Sequence, residues 1–292
     1  MILWILSEER PKLHTISSIL RMYAKHNDSE IICTNNHIII DPVFYYGVFV
    51  FTYKVMGISI IGVDEIILKI VSGKSSFVDY LIYEGGYSLP NMQDSPVLAI
   101  EETKTTDKES RNTTIFQRLT KFVYIDFYYP KTKKIMFYNL QTLEQLKVTN
   151  TNKFGIRLLL TLGVLIEGKS FDQNLTKFES LEDIVKARQR IKKPPAGNIP
   201  LTIQIINSSL IYISGRLVKN NRIAHDPNIG AVLGICKALR MLKFNGSIEV
   251  INHGLSQEHI ANDKGKFIKA ATQLNINLFG LSYIKAELGK LY

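Results

Sequence analysis

Short apolar runs with the two-residue alternation of strands are interleaved along this chain with stretches whose apolar positions recur every three to four residues. Ile2 to Leu6 predicts a strand, Pro11 to Lys25 an amphipathic helix and Glu30 to Ile40 one or two further strands. Val48 to Ile61 predicts a strand and Val63 to Ser72 a short helix, with Asp64 and Glu65 compensating its dipole. Val78 to Tyr83 and Pro96 to Lys104 predict two apolar strands, joined by a loop from Gly85-Gly86 to Ser95. Ile115, Phe116, Leu119 and Phe122 place a helix over Thr113 to Phe122. Val123 to Tyr129 then predicts a strand, and Tyr128 to Lys134 a basic turn between two apolar strands. Further on the pattern gives a strand at Leu201 to Ile213, a helix at Asn228 to Leu242 and a strand at Ser247 to Ile251. A helix at Gln257 to Leu274 and a strand at Asn275 to Leu281 complete it. Asp226-Pro227 supplies a cap and a first-turn proline for the second of these helices.

The order of elements predicts an α/β fold, a central mixed sheet flanked by helices followed by a C-terminal α/β region. Ala187 to Gly197 combines a charge run with Pro194-Pro195 and reads as a linker or strap. It divides the chain into 1–190, an N-terminal region with the core, and 196–292.

Chemistry concentrates where two strands meet. In Pro96 to Lys104, Leu98 and Ile100 share one face with Glu102 and Lys104, while Val97 and Ala99 take the other. A strand apolar on both faces suits the middle of a covered sheet. The ionisable residues Glu101, Glu102 and Lys104 then appear at its carboxyl end, where open α/β sheets place their sites. Asp79, opening the neighbouring strand, can converge with Glu102 on a hard cation such as Mg²⁺, with Lys104 beside a bound water.

These residues resemble the signature of the PD-(D/E)xK nuclease superfamily, which includes most type II restriction endonucleases. Asp79, Glu102 and Lys104 and the strands around them carry the resemblance, with Val78 where the pattern has proline. The order strand, strand, helix, strand is similar to that family's core. The resemblance implies Asp79 and Glu102 as ligands of Mg²⁺ and Lys104 as the catalytic lysine. Glu101 takes the place of Glu102 if the register differs, and Gln117 serves as a helper. It further implies a homodimer, because two antiparallel DNA strands must be cut.

Charge narrows the partner. A formal net charge of +10 points to a polyanion, since lysines and arginines that contact phosphate release counterions. Arg111 and Arg118, on or near the helix after the motif, and Lys192 and Lys193 in the strap are candidate backbone contacts on double-stranded DNA. Arg216, Lys219, Asn220, Asn221 and Arg222 are of residue types that read bases.

Other chemistries find no pattern. Cys33 and Cys236 are far apart and lack a C-x-x-C partner, and none of the six histidines has metal-ligand spacing. There is no G-x-G-x-x-G or Walker pattern. The most apolar stretch, Ile156 to Ile166, contains Arg157 and is too short to cross a bilayer. Glu8, Glu9 and Arg10 follow Met1 to Leu6 too soon for a secretory signal, so a cytoplasmic protein is expected. The expectation is therefore a Mg²⁺-dependent type II restriction endonuclease acting on double-stranded DNA. The alternatives are a structure-specific or repair nuclease, a non-catalytic basic nucleic-acid-binding protein, and an unrelated small-molecule α/β enzyme.

Overall fold

The structure is a computed structural model that describes residues 1–32, 37–43, 51–71, 78–91, 93–103, 114–139, 149–168, 175–191, 201–215, 227–252 and 276–279. It is an α/β protein built on a large mixed sheet, and its chain contacts divide it into two compact units.

The first unit takes in 1–104, 128–141 and 165–169. Its strands are β1 (Ile2–Ser7), β3 (Ile39–Pro42), β4 (Thr52–Met56), β6 (Glu65–Ile70), β7 (Tyr80–Gly85), β8 (Leu98–Thr103), β9 (Lys133–Tyr138) and β10 (Val164–Gly168). They form one sheet in the order β10-β9-β8-β7-β1-β6-β4-β3. A small pair, β2 (Ile31–Ile32) and β5 (Ser59–Ile60), stands apart from it. Strand β1 runs parallel to β6 and antiparallel to β7; β7 is antiparallel to β8, and β8 is parallel to β9. The carboxyl ends of β1, β6, β8 and β9 therefore lie along one edge, beside the start of β7.

Helix α1 (Leu13–His26) covers one face. Its Ile16, Ile19, Leu20 and Tyr23 join Leu3, Ile5, Ile82, Leu98, Ile100 and Ile135 in a single buried core. Each such side chain taken out of water stabilises the fold by about 1.5–3 kcal/mol before entropy is counted. The far end of α1 is tied to the edge strand β10, where Glu167 accepts from Lys25 at 2.6 Å and lies 2.9 Å from the His26 ring.

The second unit takes in 105–127, 142–164 and 170–292. It holds α2 (Thr114–Tyr128), α3 (Asn150–Thr161), α4 (Leu181–Gln189) and α5 (Pro227–Met241). Its sheet has the order β11 (Thr202–Asn207), β12 (Leu210–Gly215), β13 (Ser247–Asn252), β14 (Ile276–Phe279). The last three strands are parallel, with α5 crossing between β12 and β13. Helices α2 and α5 approach closely at Gly230, where an added methyl would meet the Phe116 carbonyl oxygen at 1.8 Å.

Several elements differ from the sequence expectation. Val63 to Ser72 is expected as a helix, yet Glu65–Ile70 is strand β6. Its run of Ile66, Ile67 and Leu68 is buried on both faces between β1 and β4, which favours branched side chains in an extended chain. Val123 to Tyr129 is expected as a strand, yet its residues up to Tyr128 are the end of α2. Val123 and Ile125 extend the buried helical stripe of Ile115, Phe116, Leu119 and Phe122, and Asp126 pairs with Lys237 of α5. The helix stops just before Pro130, so the basic turn joins a helix to β9 and not two strands. Val48 to Ile61 breaks at Gly57, whose φ of +86° ends β4 before β5. Leu201 to Ile213 folds back as a hairpin because Asn207 Oδ1 accepts from the amide and hydroxyl of Ser209, at 2.9 and 2.8 Å.

The sequence reading left α3 and α4 unassigned. Both begin on hydroxyl caps, Thr149 accepting from the Asn152 amide and Ser180 from that of Asp183. Ala187, Arg188 and Gln189, expected to open the linker, are the last residues of α4, and the expected helix Gln257 to Leu274 lies outside the described residues. No described helix is long and apolar enough to cross a membrane.

Candidate active site

Strand β8 stays buried to its last residue. Glu101 is 3% exposed and Glu102 6%, where a strand that ended in solvent would show its charges to water. Strand β8 lies between β7 and β9, so both of its backbone edges are paired within the sheet.

Charges buried this deeply must be hydrogen-bonded. Glu102 Oε2 accepts from the Tyr80 hydroxyl at 2.7 Å, and Oε1 accepts from the Asn139 carboxamide. That carboxamide also donates to Thr15 Oγ1, in the first turn of α1, at 3.0 Å. Asn139 is held in turn by its own amide, which donates to the Thr103 carbonyl at 3.0 Å and anchors the end of β9 to the end of β8. Hydrogen bonds to a charged group contribute about 1.5–3 kcal/mol each.

Asp79 is locked to the same strand end. Its carboxylate accepts from the Glu102 amide at 2.7 Å, and its own amide donates to Glu101 Oε2 at 3.2 Å. Register places Tyr80 across from Ile100, so Tyr80 and Glu102 share the α1 face and Glu101 points to the other. Burial, then Glu102, then the charges of Asp79 and Glu9 push the Tyr80 phenol far above the ordinary tyrosine range. The carboxylates of Asp79, Glu102 and Glu9 thus act on one hydroxyl at the carboxyl edge of the sheet. Asp79 meets Glu102 through the main-chain amide of Glu102 and meets the carboxylate of Glu101 through its own amide.

Four contributors escape the sequence reading: Tyr80, Asn139, Thr15 and Glu9. Asn139 carries a readable signal, a polar residue directly after the apolar β9. Tyr80 sits beside Asp79, and Glu9 follows β1, but nothing in their spacing singles them out.

A hard divalent cation takes oxygen ligands and keeps several waters, so two carboxylates among hydroxyl and amide groups make a suitable donor set. Among the described residues no three His, Cys, Asp or Glu are grouped to hold a metal by themselves. Asp64 and Glu65 lie at the start of β6, the opposite edge of the sheet, where they pair with the Met1 amine and Lys54. Gln117 and Arg118 are partly buried on α2. Lys104, Arg111, Lys192, Lys193, Arg216, Lys219, Asn220, Asn221 and Arg222 lie outside the described residues. No family model, curated protein or solved structure matches this chain.

Proposed function

We propose that the chain is a Mg²⁺-dependent endonuclease with a PD-(D/E)xK core, hydrolysing phosphodiester bonds of double-stranded DNA at a specific sequence as type II restriction endonucleases do. The observation that supports this reading is the burial of Glu102 at the end of β8, with Asp79 held beside it. The Glu102 amide donates to the Asp79 carboxylate at 2.7 Å, and the Tyr80 hydroxyl donates to the Glu102 carboxylate at 2.7 Å.

Asp79 and Glu102 are the residues that would hold the ion. Bound Mg²⁺ supplies a water of lowered pKa and neutralises charge on the phosphorus. The protein's own contribution is to fix two carboxylates on neighbouring strands and to exclude bulk water from Glu102. Lys104, two residues on in the sequence, supplies an ammonium to orient the attacking water or to meet charge developing on the phosphate. The excess of basic residues favours a polyanionic substrate, and a homodimer in the cytoplasm is the natural form of an enzyme that cuts both strands.

Incubation with unmethylated phage DNA and Mg²⁺, followed by sequencing of the fragment ends, tests this directly. Discrete fragments with a common end sequence are expected. Cutting confined to junctions or damaged DNA would transfer the site to a repair nuclease, and intact DNA under all these conditions would remove the nuclease reading.

A further inference from the structure

Arg188, near the end of α4, is 4% exposed, and its Nε and Nη2 are buried without a hydrogen-bond partner. Burial draws its pKa down to about 10, with no carboxylate acting against that pull. Asp183, on the same helix, is already paired with Arg157. Buried donors are nearly always met, and a buried charge without a partner is among the most costly arrangements in a fold. In the chain by itself that cost falls on the packing around the guanidinium. An anion from outside would remove it.

The neighbourhood suits one. The Phe154 ring lies 6.0 Å from the guanidinium carbon. Phe154 comes four residues after Asn150, so the two share a face of α3, and side chains there lean towards its amino end. The Asn150 carboxamide donates to the Arg190 carbonyl at 3.5 Å, two residues beyond Arg188. Arg188 is thereby set beside the first turn of α3, a helix with no acid in that turn. Thr149 takes the amides of Asn152 and Lys153, which leaves those of Asn150 and Thr151 without an acceptor inside the helix. Amides and dipole at such an end favour negative charge, and a guanidinium fork matches two oxygens of an oxyanion.

We propose that Arg188 and the first turn of α3 form a binding site for a phosphate group, free or in a nucleic-acid backbone. Phosphate has oxygens enough for the fork and the helix amides together. The exposed Arg190 and the nearby Lys192 and Lys193 place further positive charge in the same stretch of chain. This site stands apart from the chemistry at β8 and does not require that the chain cut DNA.

The test is thermal unfolding of the full chain in rising inorganic phosphate, at ionic strength held constant with chloride. The wild-type midpoint should climb, as binding to the folded state requires. Arg188→Met should weaken phosphate binding by about 10–100-fold, the factor carried by hydrogen bonds to a charged group. Asn150→Pro suits the first helical position but removes an amide, and should act in the same direction by a smaller factor. It is the readout if the methionine variant does not fold. Metal-free binding of a double-stranded oligonucleotide, followed by fluorescence anisotropy, identifies the source. Weaker DNA binding by both variants, with competition by phosphate in wild type, assigns the site to a backbone phosphate. Unchanged DNA binding with a lost phosphate response assigns it to free phosphate. Equal phosphate responses in wild type and both folded variants, or none in wild type, overturn the proposal.

Discussion

At the end of β8 a carboxylate only 6% exposed is met by a phenol and a carboxamide, and the carboxamide is itself tied to a threonine; on α4 a guanidinium only 4% exposed has no hydrogen-bond partner for its Nε or Nη2. Arg188 has the Phe154 ring 6.0 Å away, and burial pulls its pKa down to about 10. Both groups are charged and both are hidden from water, but the first is surrounded by groups that would be wasted on a purely apolar core. The difference teaches how to weigh buried charge. A charge served from several separate elements points to a job at that place, whereas one with unmatched protons is a cost carried by the surrounding packing.

The largest expected effects lie at the first of these groups. Asp79→Ala, Glu102→Ala and Lys104→Ala should each lower DNA cleavage by roughly 10³-fold or more, because metal and electrostatic effects supply several kcal/mol of barrier reduction. DNA retention in gel-shift assays should change little. If all three variants instead fail to fold, the carboxylates are structural and the contrast with Arg188 loses its meaning.

Next comes the packing of the second unit. Gly230→Ala forces a methyl onto the Phe116 carbonyl and should destabilise by about 2–3 kcal/mol, read as a lower denaturant midpoint. An unchanged midpoint would mean that α2 and α5 are not held this close.

Arg188→Met should do the reverse and stabilise by about 1–2 kcal/mol, since an apolar chain of similar length removes an unmatched charge. The guanidinium keeps its proton up to about 10 in the folded protein and to its ordinary 12.5 when unfolded. Between those values the unfolded state binds more protons, so this group's contribution to stability rises with pH. The gain from Arg188→Met should therefore shrink above pH 10 in chemical-denaturation curves.

The smallest effect has the opposite sign. The phenols of Tyr23, Tyr80, Tyr83 and Tyr129 are all shifted upward, chiefly by burial. Their contribution is present below the ordinary value near 10 and falls as pH rises past it, because the unfolded chain loses those protons first. Tyr80→Phe should make the alkaline decline of stability shallower, and an identical slope would show that its hydroxyl is not buried as described.

Much of this architecture was legible in the chain. The apolar runs of β1, β7 and β8, the stripe of α5 and the proline at its first turn all agree with the structure, because period and punctuation act locally. Strand β6 and the end of α2 were misread, since acidic residues before an isoleucine run imitate a helix start and aromatic-rich helix residues imitate a strand. Packing against β1 in one case and α5 in the other decides the outcome. At the end of β8, Glu102 stands out in the sequence because a charge closing an apolar strand is conspicuous. Tyr80 and Asn139 do not, since a cross-strand hydrogen bond depends on register, and register is set by partners distant in sequence.

Strand β1 has its two neighbours at Glu65–Ile70 and Tyr80–Gly85, so neither edge of its backbone is paired until the chain has run on to Glu65, and both are paired only once it reaches Gly85. During synthesis this apolar ribbon must wait outside the ribosome with open edges, exposed to chaperones or to sticking. Refolding in the test tube should for the same reason be slow, governed by closure of long loops around one central ribbon.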